Sequence, residues 1–416
     1  MEYGCIGHPI CHSFSAEIHS YLDKSSYELL DIAPHELETF FLQKDFFGIN
    51  VTIPYKQKVI PYLDEIDADA AAIGAVNTII RRGNRLIGYN TDVTGMQALL
   101  SDIGVPLAGK SVAVLGTGGT AHTARFVVRQ NGALPLTVSR TPGKGDETYE
   151  TLAAHSKNIG FIINTTPCGM SPLLCDMPLD PAAFPHLSGI ADAVYRPLRT
   201  RLVLRAREIG VPARNGLYML AVQAVQAASL FHDRSYPDGT AQKVIRELSF
   251  QKENIVLIGM PSVGKTTVGR ALSAILNRPF YDTDAMIEEQ TGRRISDIFR
   301  ESGEVAFRSL EKDAVRQLSC LNGIVIATGG GCVLDPENIR LLSQNGHIVL
   351  LTAPFAHLSP SADRPLSTDT RSLRRLESER SALYLQSCDV VCESKATAKE
   401  TAHSVLNKLY PERYPI

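Results

Sequence analysis

The sequence lacks a long hydrophobic run, a basic leader and an excess of either charge. No stretch approaches the ~18 consecutive apolar residues that a membrane-spanning helix requires, and no basic segment precedes an apolar one near Met1, so no signal peptide is predicted. Lysine and arginine number 42 and aspartate and glutamate 44, a balance that gives no global attraction to nucleic acid or to an anionic membrane. We therefore expect a cytoplasmic protein, although local charged patches remain open. No oligomeric state follows from these features.

Paired metal ligands are also missing. Eight cysteines are scattered over the chain, and the nearest pair, Cys388 and Cys392, has no matching Cys or His couple for zinc. Because no secretion signal is predicted, we expect free, buried thiols. His8, His12 and His19 are irregularly spaced with no acidic residue nearby, so a metal site there is not predicted.

The chain does have short apolar runs that alternate with helical patterns, as α/β proteins require. Its 416 residues predict two or three domains at ~100–200 residues each. The apolar run at 111–115 indicates a strand buried on both faces, and the pattern restarts with a second such strand at 255–258. A short polar linker is predicted between them at 249–254. Further strands are predicted at 2–7, 27–31, 47–52, 136–139 and 161–164, and helices at 93–103, 121–131, 221–230 and 238–250.

A phosphate-binding loop follows the strand at 255–258. The segment from Gly259 to Thr266 fits G-x-x-x-x-G-K-[ST] between a strand and a helix expected to begin near Thr266. Its backbone N–H groups would surround a phosphate, Lys265 would neutralise phosphate charge, and the Thr266 hydroxyl would bind Mg²⁺. The predicted ATP-binding residues of the loop are Gly259, Met260, Pro261, Ser262, Val263, Gly264, Lys265, Thr266 and Thr267.

Further polar residues of the second half would select the phosphoryl acceptor. Asp282 and Asp284 end the next predicted strand, and on an extended segment their carboxylates would point the same way, one toward Mg²⁺ and one toward a hydroxyl. The glycines at 329–331 would let bare backbone approach a small ligand. Three arginines complete the set: Arg308 on a predicted helix, Arg364 directly after a predicted lid, and Arg380 shortly before Tyr384.

With these motifs, residues 254–410 closely resemble shikimate kinase. The resemblance implies a CheY-like or adenylate-kinase-like layered α/β fold and transfer of the ATP γ-phosphoryl group to the 3-hydroxyl of shikimate. Its implied catalytic residues are Asp284, Lys265 and Arg364; its substrate-binding residues Asp284, Arg308, Gly330 and Arg380; its metal-binding residues Thr266 and Asp282; and Arg364 also contacts ATP. Ser262, where many members have glycine, and the short lid at 356–363 depart from the family pattern.

A second glycine loop lies in the first half. The segment from Gly116 to Ala121 follows the buried strand at 111–115 and precedes a predicted helix, as a variant of the dinucleotide-binding turn. The next predicted strand ends in Ser139-Arg140-Thr141, with Lys144 close behind. Positive charge there favours the 2′-phosphate of NADP over NAD. The predicted NADP-binding residues are therefore Gly116, Thr117, Gly118, Gly119, Thr120, Ala121, Ser139, Arg140, Thr141 and Lys144.

Four polar turns of the first half, at 7–15, 50–56, 74–78 and 88–92, carry hydroxyl, amide and charged groups that suit a small polyhydroxylated acid. With the glycine loop, they make residues 1–250 resemble shikimate dehydrogenase. The resemblance implies that Lys56 and Asp92 are catalytic, and Asp92 could also cap a helix. The implied substrate-binding residues are Ser13, Ser15, Asn50, Thr52, Lys56, Asn77, Thr91, Asp92 and Gln223, and Thr165, Gly216 and Met219 would line the NADP cleft. Ala16 and Tyr218 depart from the family pattern.

The sequence thus predicts a bifunctional α/β enzyme that reduces 3-dehydroshikimate to shikimate with NADPH and phosphorylates shikimate with MgATP. The predicted domains are a substrate-binding subdomain at 1–98 and 216–250, a Rossmann NADP subdomain at 99–215, and a P-loop kinase domain at 251–416 with a parallel sheet between helices. Two alternatives stay open: a quinate/shikimate dehydrogenase that uses NAD, and a kinase half retained only as a nucleotide-binding regulatory module.

Overall fold

The computed structural model describes residues 2–10, 13–23, 25–360 and 365–415. The chain divides into two compact units, Met1–Leu248 and Ser249–Ile416. The predicted α/β class is confirmed, since parallel strands alternate with helices in both units. Within the described ranges, no helix is long and apolar enough to cross a membrane.

A mixed six-stranded sheet opens the first unit, in the order β2-β1-β3-β5-β6-β4. Its strands are β1 (Tyr3–Gly7), β2 (Tyr27–Asp31), β3 (Gly48–Val51), β4 (Glu65–Ile66), β5 (Thr78–Arg82) and β6 (Arg85–Tyr89), with helices α1 (Ser15–Leu22), α2 (Leu37–Gln43) and α3 (Ala68–Ile73). Alternate side chains of the strands, including Ile6, Ile49 and Ile79, are buried in one core. The carboxyl ends of β1 and β3 therefore present the polar turns at 7–15 and 50–56.

A five-stranded parallel sheet follows, in the order β11-β10-β9-β7-β8. Its strands are β7 (Ser111–Leu115), β8 (Leu134–Val138), β9 (Ile159–Asn164), β10 (Ile190–Asp192) and β11 (Ala213–Arg214); the helices are α4 (Asp92–Ile103), α5 (Gly119–Gln130), α6 (Tyr149–Ala154), α7 (Arg201–Glu208), α8 (Leu217–His232) and α9 (Thr240–Lys252). The chain runs from β7 to β8 and then crosses to β9 on the other side of β7. Ligands of open α/β sheets bind at the carboxyl ends of strands where the order reverses in this way.

Helices α4 and α8 pack against each other at close range. A Cβ atom on Gly95 would lie 2.5 Å from the carbonyl oxygen of Met219, so the two helices can approach only because α4 has glycine there. This contact brings Gln223 of α8 beside the first residues of α4. It is the packing feature that assembles one wall of the first site.

The second unit contains a five-stranded parallel sheet in the order β13-β14-β12-β15-β16. Its strands are β12 (Asn254–Ile258), β13 (Phe280–Asp282), β14 (Val325–Ala327), β15 (Gly346–Thr352) and β16 (Val390–Glu393); the helices are α10 (Lys265–Leu276), α11 (Thr283–Thr291), α12 (Ile295–Ser319), α13 (Pro336–Asn345), α14 (Thr370–Ser387) and α15 (Ala398–Leu409). Numbered within this unit the order is 2-3-1-4-5. The CheY-like alternative, whose order is 2-1-3-4-5, is therefore wrong.

The predicted polar linker at 249–254 is wrong. Helix α9 continues to Lys252 and β12 begins at Asn254, so only residue 253 lies outside regular structure. The reason is Phe250, whose ring lies 4.9 Å from that of Tyr410, with the guanidinium groups of Arg413 and Arg278 at 4.1 and 4.9 Å from its centre. These aromatic and cation–π contacts stabilise the last helical turn.

The expectation of buried thiols holds for only part of the described chain. All seven described cysteines are free, and Cys5, Cys332 and Cys392 are buried. The other four are partly or fully exposed, with Cys175 on the surface. Exposure at these positions comes from loop and helix-end placement, which cysteine spacing does not reveal.

Candidate active sites

A lysine–carboxylate pair lies at the centre of the first unit's polar turns. The Lys56 ammonium donates to Asp92 Oδ2 at 2.5 Å, and the two side chains are only 14% and 7% exposed. Asp92 is the first residue of α4, where the helix dipole favours a negative charge. Thr91, not Asp92, occupies the N-cap position, so the capping prediction for Asp92 is wrong.

An amide–hydroxyl network surrounds this pair. Asn77 Nδ2 donates to Asp92 Oδ1 at 2.9 Å, and Asn77 Oδ1 accepts from the Thr91 backbone at 2.7 Å. The Thr91 hydroxyl donates to Gln223 Oε1 at 3.2 Å. The residue before β5, the start of α4 and helix α8 thus bring four predicted substrate-binding residues next to Lys56, which is a fifth. Thr52 follows β3, and its methyl group is the nearest atom to a Cβ built on Gly7.

Two serines form a separate polar group at the start of α1. The Ser13 hydroxyl donates to Ser15 Oγ at 2.9 Å, and the Ser15 backbone N–H donates back to Ser13 Oγ. Tyr195, which the sequence analysis missed, hydrogen-bonds to Ser13; burial raises its pKa to about 12. Its ring packs 5.3 Å from that of Phe14. The available signal was its position just after β10, since the other candidate residues also lie just after strands.

The glycine loop lies at the reversal of strand order. Gly116 has φ +111°, and a Cβ there would lie 2.9 Å from Thr165 Oγ1. A Cβ on Gly119 would lie 3.1 Å from Lys56 Cβ, so the loop that begins α5 directly adjoins the catalytic candidate. Backbone N–H groups at the start of this 12-residue helix suit a pyrophosphate. Thr117, Gly118, Thr120 and Ala121 belong to the same turn and first helical residues.

The turn after β8 adjoins this loop. The Gly116 N–H donates to the Val138 carbonyl at 2.9 Å, one residue before Ser139. Ser139 Oγ accepts from the Thr141 N–H at 3.1 Å, which closes the turn. Arg140 and Lys144 are exposed, so their cationic groups are accessible to an incoming phosphate.

A buried carboxylate fixes the opposite wall of this cleft. Asp192 accepts from Asn164 Nδ2 at 2.9 Å and from the Thr200 hydroxyl at 2.6 Å. Asn164 Oδ1 in turn accepts from the Thr166 N–H and hydroxyl, at 3.1 and 2.7 Å. Burial raises the pKa of Asp192 to about 6. The adjacent Thr165 hydroxyl donates to the Leu115 carbonyl at 2.6 Å.

Gly216, Tyr218 and Met219 lie at the start of α8. A Cβ on Gly216 would collide with the Ala193 carbonyl, so only glycine fits this approach. The Tyr218 hydroxyl accepts from Gln242 Nε2 at 2.9 Å, which turns the ring toward α9. Met219 is buried in the core shared by α4 and α5.

The phosphate-binding loop of the second unit holds its lysine on its own backbone. Lys265 Nζ donates to the carbonyl oxygens of Gly259 and Met260 at 2.8 and 2.9 Å. Gly259 and Gly264 have φ +140° and +97°, which glycine adopts without strain. Ser262 has φ +65°, and its hydroxyl donates to the Ser359 carbonyl at 2.5 Å. Val263 is buried, and Thr267 follows in the first turn of α10.

The expectation that Asp282 and Asp284 share one extended segment is wrong. Asp282 ends β13 and caps α11, because its Oδ1 accepts from the N–H groups of Asp284 and Ala285. Asp284 therefore lies in the first helical turn. The two carboxylates lie beside different neighbours. Asp282 Oδ2 accepts from Thr266 Oγ1 at 2.6 Å. Asp284 lies against Gly329, since a Cβ on that glycine would lie 2.7 Å from Asp284 Oδ1.

The glycines at 329–331 adjoin both the phosphate loop and two arginines. A Cβ on Gly330 would lie 3.1 Å from the Pro261 ring, and one on Gly331 would collide with the Arg308 guanidinium. Arg380 is buried and donates to the Gly330 carbonyl at 2.9 Å, which also accepts from the Tyr384 hydroxyl at 2.5 Å. Arg364 lies outside the described residues.

Arg308 is paired within its own helix. It donates to Glu311 Oε2 at 2.8 Å and to Glu304 Oε1 at 2.9 Å. Burial lowers the pKa of Arg308, but the charge and hydrogen bond of Glu311 outweigh that effect and the pKa is raised. Burial raises the pKa of Glu311 despite its cationic partner. Sequence analysis missed Glu311, although a spacing of three residues on a predicted helix is a recognised ion-pair signal.

Comparisons with known proteins address both halves of the chain. Residues 5–79 match the family model of the shikimate dehydrogenase substrate binding domain, and residues 261–410 match that of shikimate kinase. The shikimate dehydrogenase (NADP(+)) of Symbiobacterium thermophilum is 35% identical over 263 residues, which cover 56% of this chain and 90% of that protein.

The chain belongs to the shikimate dehydrogenase family. A crystal structure of a chorismate mutase/shikimate 5-dehydrogenase fusion protein from Clostridium acetobutylicum aligns with TM-score 0.55 and 33% identity, covering 59% of this chain and 96% of that one. The Thermus thermophilus shikimate 5-dehydrogenase, solved in complex with NADP(H) and shikimate, aligns with TM-score 0.53 and 29% identity over 59% of this chain and 99% of that one.

Both family predictions are therefore confirmed. The first unit is a shikimate dehydrogenase of the NADP type, and the second contains a shikimate kinase domain that uses ATP. Together they make a bifunctional enzyme of the shikimate pathway, as predicted. The roles of individual residues stay predictions.

Proposed function

We propose that the first unit reduces 3-dehydroshikimate to shikimate with NADPH, and that the second phosphorylates the 3-hydroxyl of shikimate with MgATP. The observation that carries the first reaction is the buried Lys56–Asp92 pair, set between an amide–hydroxyl network and the glycine loop. A ketone that gains a hydride leaves negative charge on its oxygen, and a proton donor must lie beside it.

Lys56 is proposed to donate that proton. Bound NADPH would supply the hydride from the glycine-loop side, where Gly119 adjoins the stem of Lys56. Asp92 orients the ammonium group at 2.5 Å and receives a second hydrogen bond from Asn77. The network of Asn77, Thr91 and Gln223, with Asn50 and Thr52, would bind the ring hydroxyls, and Ser13 and Ser15 would bind the carboxylate.

The kinase reaction is proposed to depend on positioning and charge neutralisation. Phosphoryl transfer needs little covalent help from the protein. Bound ATP would supply the γ-phosphoryl group over the loop at 259–266, with Lys265 as its counter-charge. Asp284 would hold and deprotonate the acceptor hydroxyl, while Arg308 and Arg380 would bind the substrate carboxylate as planar donors.

The donor set beside the phosphate loop fits Mg²⁺. The Thr266 hydroxyl and the Asp282 carboxylate lie 2.6 Å apart, and Mg²⁺ prefers such oxygen ligands together with phosphate oxygens and water. Bound Mg²⁺ would neutralise phosphate charge. The Thr266 hydroxyl would then no longer donate to Asp282, because the oxygens of both side chains would bind the cation.

The three sheets support the proposed division into domains. We propose that the six-stranded sheet with α8 forms the substrate-binding subdomain, that the five-stranded sheet β7–β11 forms the NADP subdomain, and that the kinase domain begins near residue 251. The balanced charge supports small metabolites rather than nucleic acid as partners. Reliance on NADPH and ATP supports a cytoplasmic location.

Two initial-rate assays test the proposal. Shikimate should reduce NADP⁺ much faster than NAD⁺, because Arg140 and Lys144 suit the 2′-phosphate. Shikimate and ATP should release ADP only when Mg²⁺ is present, and chelation should stop it. A chain that prefers NAD⁺, or that binds ATP without shikimate-dependent turnover, would contradict the proposal for the corresponding half.

A further inference from the structure

We propose that Tyr27, a residue of β2 outside the motifs of either family resemblance, positions the substrate-binding groups of the dehydrogenase. Its hydroxyl would fix Asn50 as an acceptor for a substrate hydroxyl, beside the serines that are proposed to bind the carboxylate. This inference rests on the proposed dehydrogenase function.

The orientation of the Asn50 amide follows from its partners. Asn50 Nδ2 lies 3.3 Å from the Asn77 carbonyl oxygen and 3.0 Å from Thr78 Oγ1. Because a backbone carbonyl can only accept, the amide nitrogen must face it. Asn50 Oδ1 then faces the Tyr27 hydroxyl at 2.7 Å, and Tyr27 must donate.

This arrangement uses three of the four hydrogen-bonding positions of the Asn50 side-chain amide. Both amide hydrogens point at protein acceptors, and one lone pair of Oδ1 accepts from Tyr27. The second lone pair of Oδ1 has no partner at hydrogen-bonding distance among the described residues, although the His19 imidazole also interacts with Asn50. Asn50 would therefore accept from a hydroxyl of the substrate and would discriminate against a group that cannot donate.

The same tyrosine hydroxyl lies near the other polar group. Ser15 is close enough to the Tyr27 hydroxyl to favour its ionised form against the effect of burial on its pKa, and the Ser13 hydroxyl donates to Ser15 at 2.9 Å. One row of polar side chains thus runs from Ser13 through Ser15 and Tyr27 to Asn50. It sets the separation between the groups proposed to bind the carboxylate and those proposed to bind the ring hydroxyls.

Neighbouring side chains fix the Tyr27 ring. The His19 ring stacks on it, with centroids 3.9 Å apart and planes at 8°. Burial lowers the pKa of His19 to about 3, so the imidazole is neutral at physiological pH. Burial also raises the pKa of Tyr27 well above its usual value, so the hydroxyl keeps the proton that Asn50 accepts.

Tyr27→Phe in the full-length enzyme tests the inference, with Tyr3→Phe as a matched control. Tyr3 pairs with Tyr27 across the neighbouring strand, and its hydroxyl lies 3.5 Å from the Phe231 carbonyl, away from Asn50. Loss of one positioned hydrogen bond predicts a KM for shikimate raised about 5- to 15-fold in Tyr27→Phe. The kcat and the KM for NADP⁺ should change less than about 3-fold in either variant.

The Asn50→Ala background supplies a readout that a purely structural role would not move. There Tyr27→Phe should raise the KM for shikimate less than about 2-fold, because the residue it positions is gone. Three results would overturn the inference while leaving the proposed function standing. They are an unchanged KM for shikimate in Tyr27→Phe, an equal rise in the KM values for shikimate and NADP⁺, and an undiminished effect of Tyr27→Phe in the Asn50→Ala background. No NADP⁺ reduction by the wild-type enzyme would overturn the proposed function, and the inference with it.

Discussion

The two active-site candidates differ in what their polar side chains contact without ligands. In the first unit, Lys56, Asp92 and Asn77 hydrogen-bond to one another. In the second, Lys265 is held by loop carbonyls and Arg308 by carboxylates of its own helix. The candidate dehydrogenase groups thus contact one another, whereas the candidate kinase groups contact loop carbonyls and carboxylates that phosphate or substrate would have to replace.

This difference matches the chemistry of the two reactions. Proton delivery to a carbonyl oxygen needs a donor held in place before the substrate arrives. A kinase must bind a highly charged nucleotide and release it again, and internal partners keep its cations satisfied between turnovers. The comparison therefore predicts different sensitivities to substitution in the two halves.

Lys56→Ala should produce the largest effect. Removing the proposed proton donor should lower the kcat for dehydroshikimate reduction by about 10²- to 10⁴-fold, while shikimate phosphorylation by the same chain is unchanged. Lys58→Ala is the matched control, because Lys58 is exposed in the same segment. Equal losses in both activities of a folded Lys56→Ala protein would contradict the separation of the sites.

Lys265→Ala should do the reverse. Loss of a charge that neutralises the transferring phosphoryl group should lower phosphorylation by about 10²- to 10³-fold, with reduction unaffected. Lys312→Ala provides a control, since that lysine pairs with Asp335 at 3.0 Å in the same unit. A drop of less than about 10-fold in steady-state ADP release would argue against a catalytic phosphate loop.

Asp192→Asn should change how the stability of the first unit depends on pH. The pKa of Asp192 is about 6 in the folded protein against an ordinary 3.8, so folding binds its proton. Its contribution to the free energy of unfolding is full below about pH 4 and is lost as pH rises through 6, by about 3 kcal/mol.

Asparagine does not titrate, so the Asp192→Asn variant should not lose this part of the free energy of unfolding as pH rises. Urea unfolding at pH 4.5 and 7, with wild type and variant side by side, would measure the difference between the two slopes. A wild-type advantage that is equal at both pH values would show that Asp192 is ionised throughout and that burial has not raised its pKa.

A pair of substitutions at Ser262 should produce the smallest effect. Ser262→Ala loses the hydroxyl bond to Ser359 but keeps the left-handed backbone, whereas Ser262→Gly loses the bond and relieves the strain. The glycine variant should therefore be more stable than the alanine variant by about 1 kcal/mol. Thermal unfolding of the second unit would measure it, and an alanine variant as stable as the glycine variant would show that Ser262 is not strained.

Motifs and family resemblance named the candidate site residues better than the residues that contact them. Lys265 could be named from the spacing of its glycine loop, whereas Lys56 and Arg308 were named from the family resemblances. Tyr27 and Tyr195 could not, because their partners Asn50 and Ser13 are distant in sequence and only the folded chain brings them near. Glu311 lies three residues from Arg308 and was overlooked. Partial signals existed in strand-end position and in the spacing of Arg308 and Glu311.

The secondary structure at 282–284 and at 249–254 was predicted wrongly because one side chain in each segment makes contacts that the local sequence does not reveal. Asp282 both faces Thr266 and caps α11, so the segment turns helical one residue after the strand. The window at 249–254 looked polar because Phe250 is its only large apolar residue, yet that ring holds the end of α9. Tertiary contacts decided both cases, and local propensity does not encode them.

The most direct test of the central claim supplies 3-dehydroshikimate as the only carbon substrate, with NADPH and MgATP, to the wild-type chain. We expect ADP release to require NADPH, and one ADP to form for each NADPH oxidised once shikimate reaches a steady level. ADP release without NADPH, or NADPH oxidation that never leads to ADP release, would contradict a chain whose two sites act in turn on the same compound.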